Sequence, residues 1–235
     1  MVSFSPQRLM VVHAHPDDES LFTGHIIADA LAKGAEVKLV TLTRGERGQS
    51  RNPALRPLVR DMEQMADYRS NLLRTAIEAF PGLEHQFFGT RAYLETDQDS
   101  TGFGRVSNPD PLYNLTLTGS GVKVVRDELV PVLKKFRPDA VVTLSAKNPN
   151  SDHRMAFKAV RIAIKALKAS KPPKHWVVVE PGQKYEAQVG SSQTEPQKHK
   201  AVSAYSDFVT IKATTFDYGT GEIKFSEPEK LRLVP

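Results

Sequence analysis

The chain contains no cysteine. That absence excludes a disulfide framework, a thiol nucleophile, a redox switch and any Cys-ligated zinc. A metal site must therefore be assembled from His, Asp and Glu. No uninterrupted apolar run approaches the ~18 residues of a membrane helix. Met1 to Gln7 lacks the charged start, apolar stretch and cleavage site of a signal peptide. There is no internal repeat and no low-complexity linker. Charge of one sign is also scarce: 32 Lys+Arg face 27 Asp+Glu, a net +5. So small an excess is a weak footprint for nucleic acid or a membrane surface. With 235 residues, 40% hydrophobic and 25% charged, the composition is that of an ordinary globular chain. The expectation is one soluble, cytoplasmic domain spanning 1–235, with no membrane span and no nucleic-acid partner.

Strand and helix signals alternate along the chain. Arg8-Leu-Met-Val-Val-His13 is a short apolar run and predicts a buried strand. Ser20 to Lys33 carries Leu21, Ile27, Ala28 and Leu31 at helical spacing, with Gly34 at the expected C-terminal cap. Val37 to Thr43 predicts a second strand, so the first 43 residues read as a parallel strand–helix–strand crossover. Further helices are predicted near 57–79, 122–136, 153–169 and 195–205. Further strands are predicted at Gln86–Phe88, Asp139–Ser145, His175–Val179 and Phe208–Lys212. Residues 44–56, 95–121 and 181–194 read as polar loops, and the longest of them is of the length that usually serves function. Phe157, Val160, Ile164 and Leu167 share one sector of their helix, and Arg154, Lys158, Arg161, Lys165 and Lys168 fall in a separate, narrow one. That is the solvated face of an amphipathic helix, not a binding stripe. The pattern predicts an α/β fold: a three-layer α/β/α sandwich around a Rossmann-like, mostly parallel sheet.

The chemistry concentrates in His13-Ala-His-Pro-Asp-Asp-Glu-Ser20. Five ionisable side chains fall within seven positions, after a buried strand and before a helix. The carboxyl end of a parallel strand is where open α/β sheets build sites. An N-cap and a first-turn acid would explain one or two of the carboxylates. They would leave His15 and a second adjacent acid without a reason. Neighbouring carboxylates repel unless a cation or a shared proton lies between them, and a cation held by imidazole and carboxylate is the simpler account. A catalytic zinc takes three protein ligands. The best remaining donor is His153, in Asn148-Pro-Asn-Ser-Asp-His153, which also follows a strand and starts a helix. His25, His85, His175 and His199 sit in settings that predict surface or structural roles, while His13 favours support of the site. Asp152 is expected to cap its helix.

Ala14-His-Pro-Asp-Asp-Glu19 resembles the signature of the LmbE-like, or PIG-L, family of zinc-dependent deacetylases. Thr41-Leu-Thr-Arg-Gly-Glu46-Arg-Gly48 is similar to the family's second-strand motif, and Arg60-Asp-Met-Glu63 to its Arg-x-x-Glu helix. Asp152-His153 matches the end of its His-Pro-Asp-His motif, and Lys198 to Ser206 its late Lys-x-x-Ala segment. The resemblance implies that His15, Asp18 and His153 hold Zn2+, or another divalent transition metal. It implies that Asp17 is the general base toward a metal-activated water, and that Glu46 and Arg60 bind substrate. It implies removal of an acetyl or other acyl group from a small N-acetylglucosamine-type conjugate, by an enzyme that can be a homo-oligomer. A sugar-contacting Asp is expected near Asp97 or Asp99. Two positions depart from the pattern. Asn150 stands where the family has the first His of its motif; an amide donates a hydrogen bond to an oxyanion but is no general acid at neutral pH. Tyr205 stands in place of the late His. These departures keep open a divergent member that acts on another small amide, or that binds a sugar-like ligand with little turnover.

Overall fold

A computed structural model describes residues 2–50, 52–88, 116–180, 182–219 and 221–235. Most of the predicted loop 95–121, with Asp97 and Asp99, lies outside the described residues. The order of elements is β1 (Arg8–His13), α1 (Asp18–Ala32), β2 (Glu36–Thr41), α2 (Arg56–Val59), α3 (Met62–Ile77), β3 (Glu84–Phe87), α4 (Val122–Phe136), β4 (Ala140–Leu144), α5 (Ser151–Ala166), β5 (Lys174–Val178), β6 (Ala187–Val189), α6 (Glu195–Ser203), β7 (Thr210–Ile211), β8 (Thr215–Asp217), β9 (Ile223–Lys224) and β10 (Glu229–Leu233).

Seven strands form one sheet in the order β3-β2-β1-β4-β5-β10-β6. β1, β2, β3, β4 and β5 pair in parallel, and β10 pairs antiparallel with both β5 and β6. β1 and β4 read as apolar runs because both of their faces are covered. One apolar cluster packs α1, α3 and α6 residues such as Ile27, Leu73 and Val202 against Leu9, Val11 and Leu39. The other packs Leu129, Leu133, Ala159 and Val160 of α4 and α5 against Met10, Val12 and Val141. These are the three layers of the α/β sandwich. β1 is flanked by β2 on one side and β4 on the other, so the strand order reverses there and opens a crevice at the carboxyl ends.

Four local expectations are corrected. The helix predicted over 57–79 is two, α2 and α3. Asp61 adopts extended backbone and its carboxylate accepts the amides of Glu63 and Gln64 at 3.1 Å, restarting the helix. Phe208–Lys212 shortens to Thr210–Ile211 and joins a separate antiparallel sheet, β7-β8-β9. The polar stretch 181–194 supplies the edge strand β6, and β10 enters the main sheet from a region given no element. Among the described residues no helix is long and apolar enough to cross a membrane.

Candidate metal centre and its cleft

β1 ends at His13 and β4 ends at Leu144, and the chain after each turns over the sheet edge into a helix. His15 and Asp18 come from the first turn, His153 from the second. One donor atom from each lies within 4.8 Å of the others, and all three residues are buried. His153 Nε2 is 3.0 Å from Asp18 Oδ1 and 3.1 Å from His15 Nδ1. Asp18 Oδ2 also accepts the backbone amides of Ala14 and His15 at 3.2 and 3.0 Å, which fixes its carboxylate.

The outer nitrogens of the two rings determine what the inner ones carry. His15 Nε2 lies 3.2 Å from Asp152 Oδ2, and a carboxylate only accepts, so Nε2–H donates. His153 Nδ1 lies 2.9 Å from Asn148 Oδ1, which also accepts the amide of Asn150; here too the ring donates. His15 Nδ1 and His153 Nε2 thereby turn inward and face each other across 3.1 Å, beside the Asp18 carboxylate. With both rings neutral, these nitrogens would present lone pairs to one another, a repulsion that a cation held among them relieves. Two imidazoles and one carboxylate suit a divalent transition metal. Asp152 and Asn148 are the partners that orient the rings toward it. Asp152 is thus no helix cap; that task falls to Asn150, whose Oδ1 accepts the amides of Asp152 and His153.

Asp17 stands beside this cluster. Its side chain keeps 18% of its surface open, against 3% for Asp18. Burial pushes the Asp17 carboxyl up to about 7, with the Arg69 guanidinium pulling the other way and Asp18 adding to the rise. Burial also penalises the Asp18 carboxylate, but His153, His15 and His13 outweigh it and hold that group well below the usual range. Two neighbouring acids are therefore driven apart, one toward a proton carrier and one toward a permanent anion.

A cleft of about 790 Å³ opens over the cluster. On the β2 side it is bordered by Gly48, Gln49 and Arg69, and on the β5–β10 side by Val178, Val179 and Lys230. The small antiparallel sheet leans in with Tyr218 and Ile223. Tyr218 packs edge-on to Phe22 at 5.2 Å, and Phe22 lies 6.1 Å from the His153 ring. Asn150 lines the cleft beside His153, with Nδ2 as its remaining donor.

Glu46 and Arg60 do not line this cleft. Glu46 is buried and accepts the amide of Arg44, and Arg60 is exposed at the end of α2. The arginine that reaches the site is Arg69. It fails the Arg-x-x-Glu pattern because Leu72 stands where the Glu belongs, so the motif drew attention to Arg60. Of the remaining histidines, His13 donates or accepts at Thr23 Oγ1 (2.8 Å), and His25 is fully buried between Thr194 Oγ1 and the Phe225 carbonyl.

The fold and this His–Asp–His cluster define an α/β protein with a divalent-metal centre at a strand-order switch. The sequence profile of the PIG-L family (GlcNAc-PI de-N-acetylase) matches residues 10–164, and the chain belongs to that family. Over 169 residues it is 37% identical to a 1D-myo-inositol 2-acetamido-2-deoxy-alpha-D-glucopyranoside deacetylase of Actinosynnema mirum; the match covers 71% of this chain and 58% of that protein. The fold is similar to N,N'-diacetylchitobiose deacetylase from Pyrococcus horikoshii, with TM-score 0.65 and 16% identity over 98% of this chain and 84% of that one. It is equally similar to a 4-carboxy-2-hydroxymuconate hydratase from Pseudomonas putida, with TM-score 0.64 and 19% identity over 97% and 96% of the two chains.

Proposed function

We propose that this chain is a zinc-dependent hydrolase that removes the acetyl group from an N-acetylglucosamine-type sugar conjugate. The observation that carries the reading is the convergence of His15, Asp18 and His153 donor atoms within 4.8 Å of one another, with Asp17 alongside and open to the cleft. The deacetylase relatives support the substrate class, although the chain spans little more than half of the first of them. The hydratase of the same fold shows that architecture alone does not select the reaction.

His15, Asp18 and His153 would hold the metal, and Asp152 and Asn148 would keep the two rings aimed at it. When bound, the metal supplies Lewis acidity that polarises an amide carbonyl and acidifies water. The protein's residues account for the remaining tasks. Asp17, with a carboxyl near 7, is matched to accept a proton at neutral pH and to return it to the departing amine nitrogen. Asn150 Nδ2 offers a neutral hydrogen bond to an oxyanion. The Phe22–Tyr218 wall excludes water from one side of the reacting group and offers an apolar face to a sugar ring.

The test is amine release from a panel of N-acetylated amino sugars and their conjugates, with zinc supplied to the purified protein. Asp17→Asn should lower turnover by about 10²–10⁴ while zinc content stays at the wild-type level. Asp18→Asn and His153→Ala should lose the metal itself. Full turnover in Asp17→Asn would remove the base assignment. Zinc-loaded wild type that releases no amine from any N-acyl amino sugar would sink the reading as a whole.

A further inference from the structure

Asp17 has an unusual backbone, with φ 110° and ψ −32°. A non-glycine residue there is strained and persists only where its surroundings over-determine it. The surroundings are identifiable. The Asp17 amide donates to Glu19 Oε2 at 3.0 Å. Its carbonyl accepts the amides of Ser20 and Leu21 at 3.0 and 2.9 Å. The third restraint comes from α3: Arg69 Nη2 donates both to the Pro16 carbonyl and, at 2.9 Å, to Asp17 Oδ2. One nitrogen thus holds the peptide before Asp17 and the carboxylate itself.

Arg69 is in turn seated by the loop after β2. It is 3% exposed. Its Nη1 donates to the Gly45 carbonyl at 3.3 Å, and its guanidinium lies 5.1 Å from the centre of the Phe208 ring. A Cβ on Gly45, which has φ +72°, would fall 2.4 Å from Nη1, and one on Gly48 would fall 2.7 Å from Nη1 and 2.8 Å from Cδ. The loop closes on the guanidinium so tightly that neither position has room for a methyl group. Thr43 Oγ1 donates to the Ala14 carbonyl at 2.8 Å and pins the loop to the same turn.

We infer that Arg69 is the positioning residue that aims the Asp17 carboxylate, and that Gly45 and Gly48 form the seat of its guanidinium. Through Gly45 and Gly48 the motif Thr43-Arg-Gly-Glu-Arg-Gly48 therefore acts on the base by way of Arg69. A lysine at position 69 would supply charge without the planar fork.

The inference rests on the reading of Asp17 as the base, and its test separates the two. Gly48→Ala pushes the guanidinium aside while every charged group stays in place; Arg69→Ala removes it. Both should lower kcat at least tenfold with KM within about threefold of wild type and zinc content unchanged. Millimolar guanidinium should restore part of the loss in Arg69→Ala but none in Asp17→Asn/Arg69→Ala, and Arg69→Lys should rescue poorly. A rise in KM at constant kcat would make Arg69 a substrate ligand and overturn the inference, as would unchanged kinetics. Should the wild type release no amine, the same question is read directly on metal-free protein by carbodiimide–glycinamide labelling and mass spectrometry. Asp17 should label at least tenfold faster in Arg69→Ala and in Gly48→Ala than in wild type. Equal labelling rates would overturn the inference independently of any activity.

Discussion

The Tyr205 hydroxyl donates to Glu19 Oε1 at 2.8 Å, and both side chains are fully buried. Ser20 Oγ donates to the same oxygen at 2.7 Å. Burial pushes the Glu19 carboxyl up, and these bonds pull it back. Tyr205 stands where the family's late segment has a His, yet here it serves the carboxylate that holds the Asp17 amide. Tyr205→Phe leaves Glu19 short of one donor and should cost about 1–3 kcal/mol. Urea denaturation should show a lower midpoint at constant slope; an unchanged midpoint would mean the bond adds nothing.

Asn150 is first a helix cap. Asn150→Ala should lose about 1 kcal/mol, and Asn150→Asp should stay within about 0.5 kcal/mol of wild type because the carboxylate can accept the same amides. Asn150→His, although it recreates the family's residue, should melt like the alanine variant. Thermal melts of the three variants decide this; equal stability of Ala and Asp would remove the cap from the account.

Lys198 and Glu229 form a buried ion pair at 2.7 Å, 2% and 6% exposed. Glu229 also accepts the amides of His25 and Ile26 at 3.1 and 2.9 Å, where α1 is broken at Thr23. Gly24 lets the lysine stem cross the helix, since a Cβ there would meet Lys198 Cγ at 3.0 Å. Lys198→Met or Glu229→Gln alone should cost about 3–5 kcal/mol, each leaving one charge buried without its partner. The double variant should fall short of the summed losses by about 1–3 kcal/mol. A double-mutant cycle in urea measures this, and strict additivity would contradict it.

His175 packs on the Phe157 ring at 5.2 Å, with Nε2 2.9 Å from Thr143 Oγ1. Burial, helped by Arg161, lowers its pKa from 6.5 to about 4. The folded value lies below the unfolded one, so the unfolded chain binds the proton first. Its contribution to stability is whole above pH 6.5, declines as pH falls toward 4, and levels off below. The span corresponds to about 3 kcal/mol at most. His175→Gln should therefore flatten the decline relative to wild type across that window, measured by urea melts at a series of pH values. Parallel curves would show that His175 does not titrate there.

The parallel half of the fold was legible because β1, β2, β4 and β5 are buried on both faces and announce themselves as apolar runs. The two turns that bring His15, Asp18 and His153 together were legible as clusters of donors after such strands. What escaped depends on partners distant in sequence. β10, Glu-Lys-Leu-Arg-Leu, is an unremarkable alternating stretch until β5 and β6 flank it. Arg69 reads as one more polar residue of an amphipathic helix until Gly45 and Gly48 close on it. Asp152 reads as a first-turn acid until a ring nitrogen 137 residues earlier in the chain donates to it.

Glu229 caps the second part of α1 from 204 residues further along the chain. The helix that carries Asp18 is thus held at its start by neighbours and at its middle by a strand made far later. Closing so long a loop is slow relative to local helix formation, and topologies rich in such contacts fold slowly. The donor side chains of the turn after β1 emerge early in synthesis, but the brace that fixes their helix does not exist until β10 has been translated and inserted between its neighbours. A growing chain therefore presents His15 and Asp18 well before the strand that braces the second part of their helix has been made.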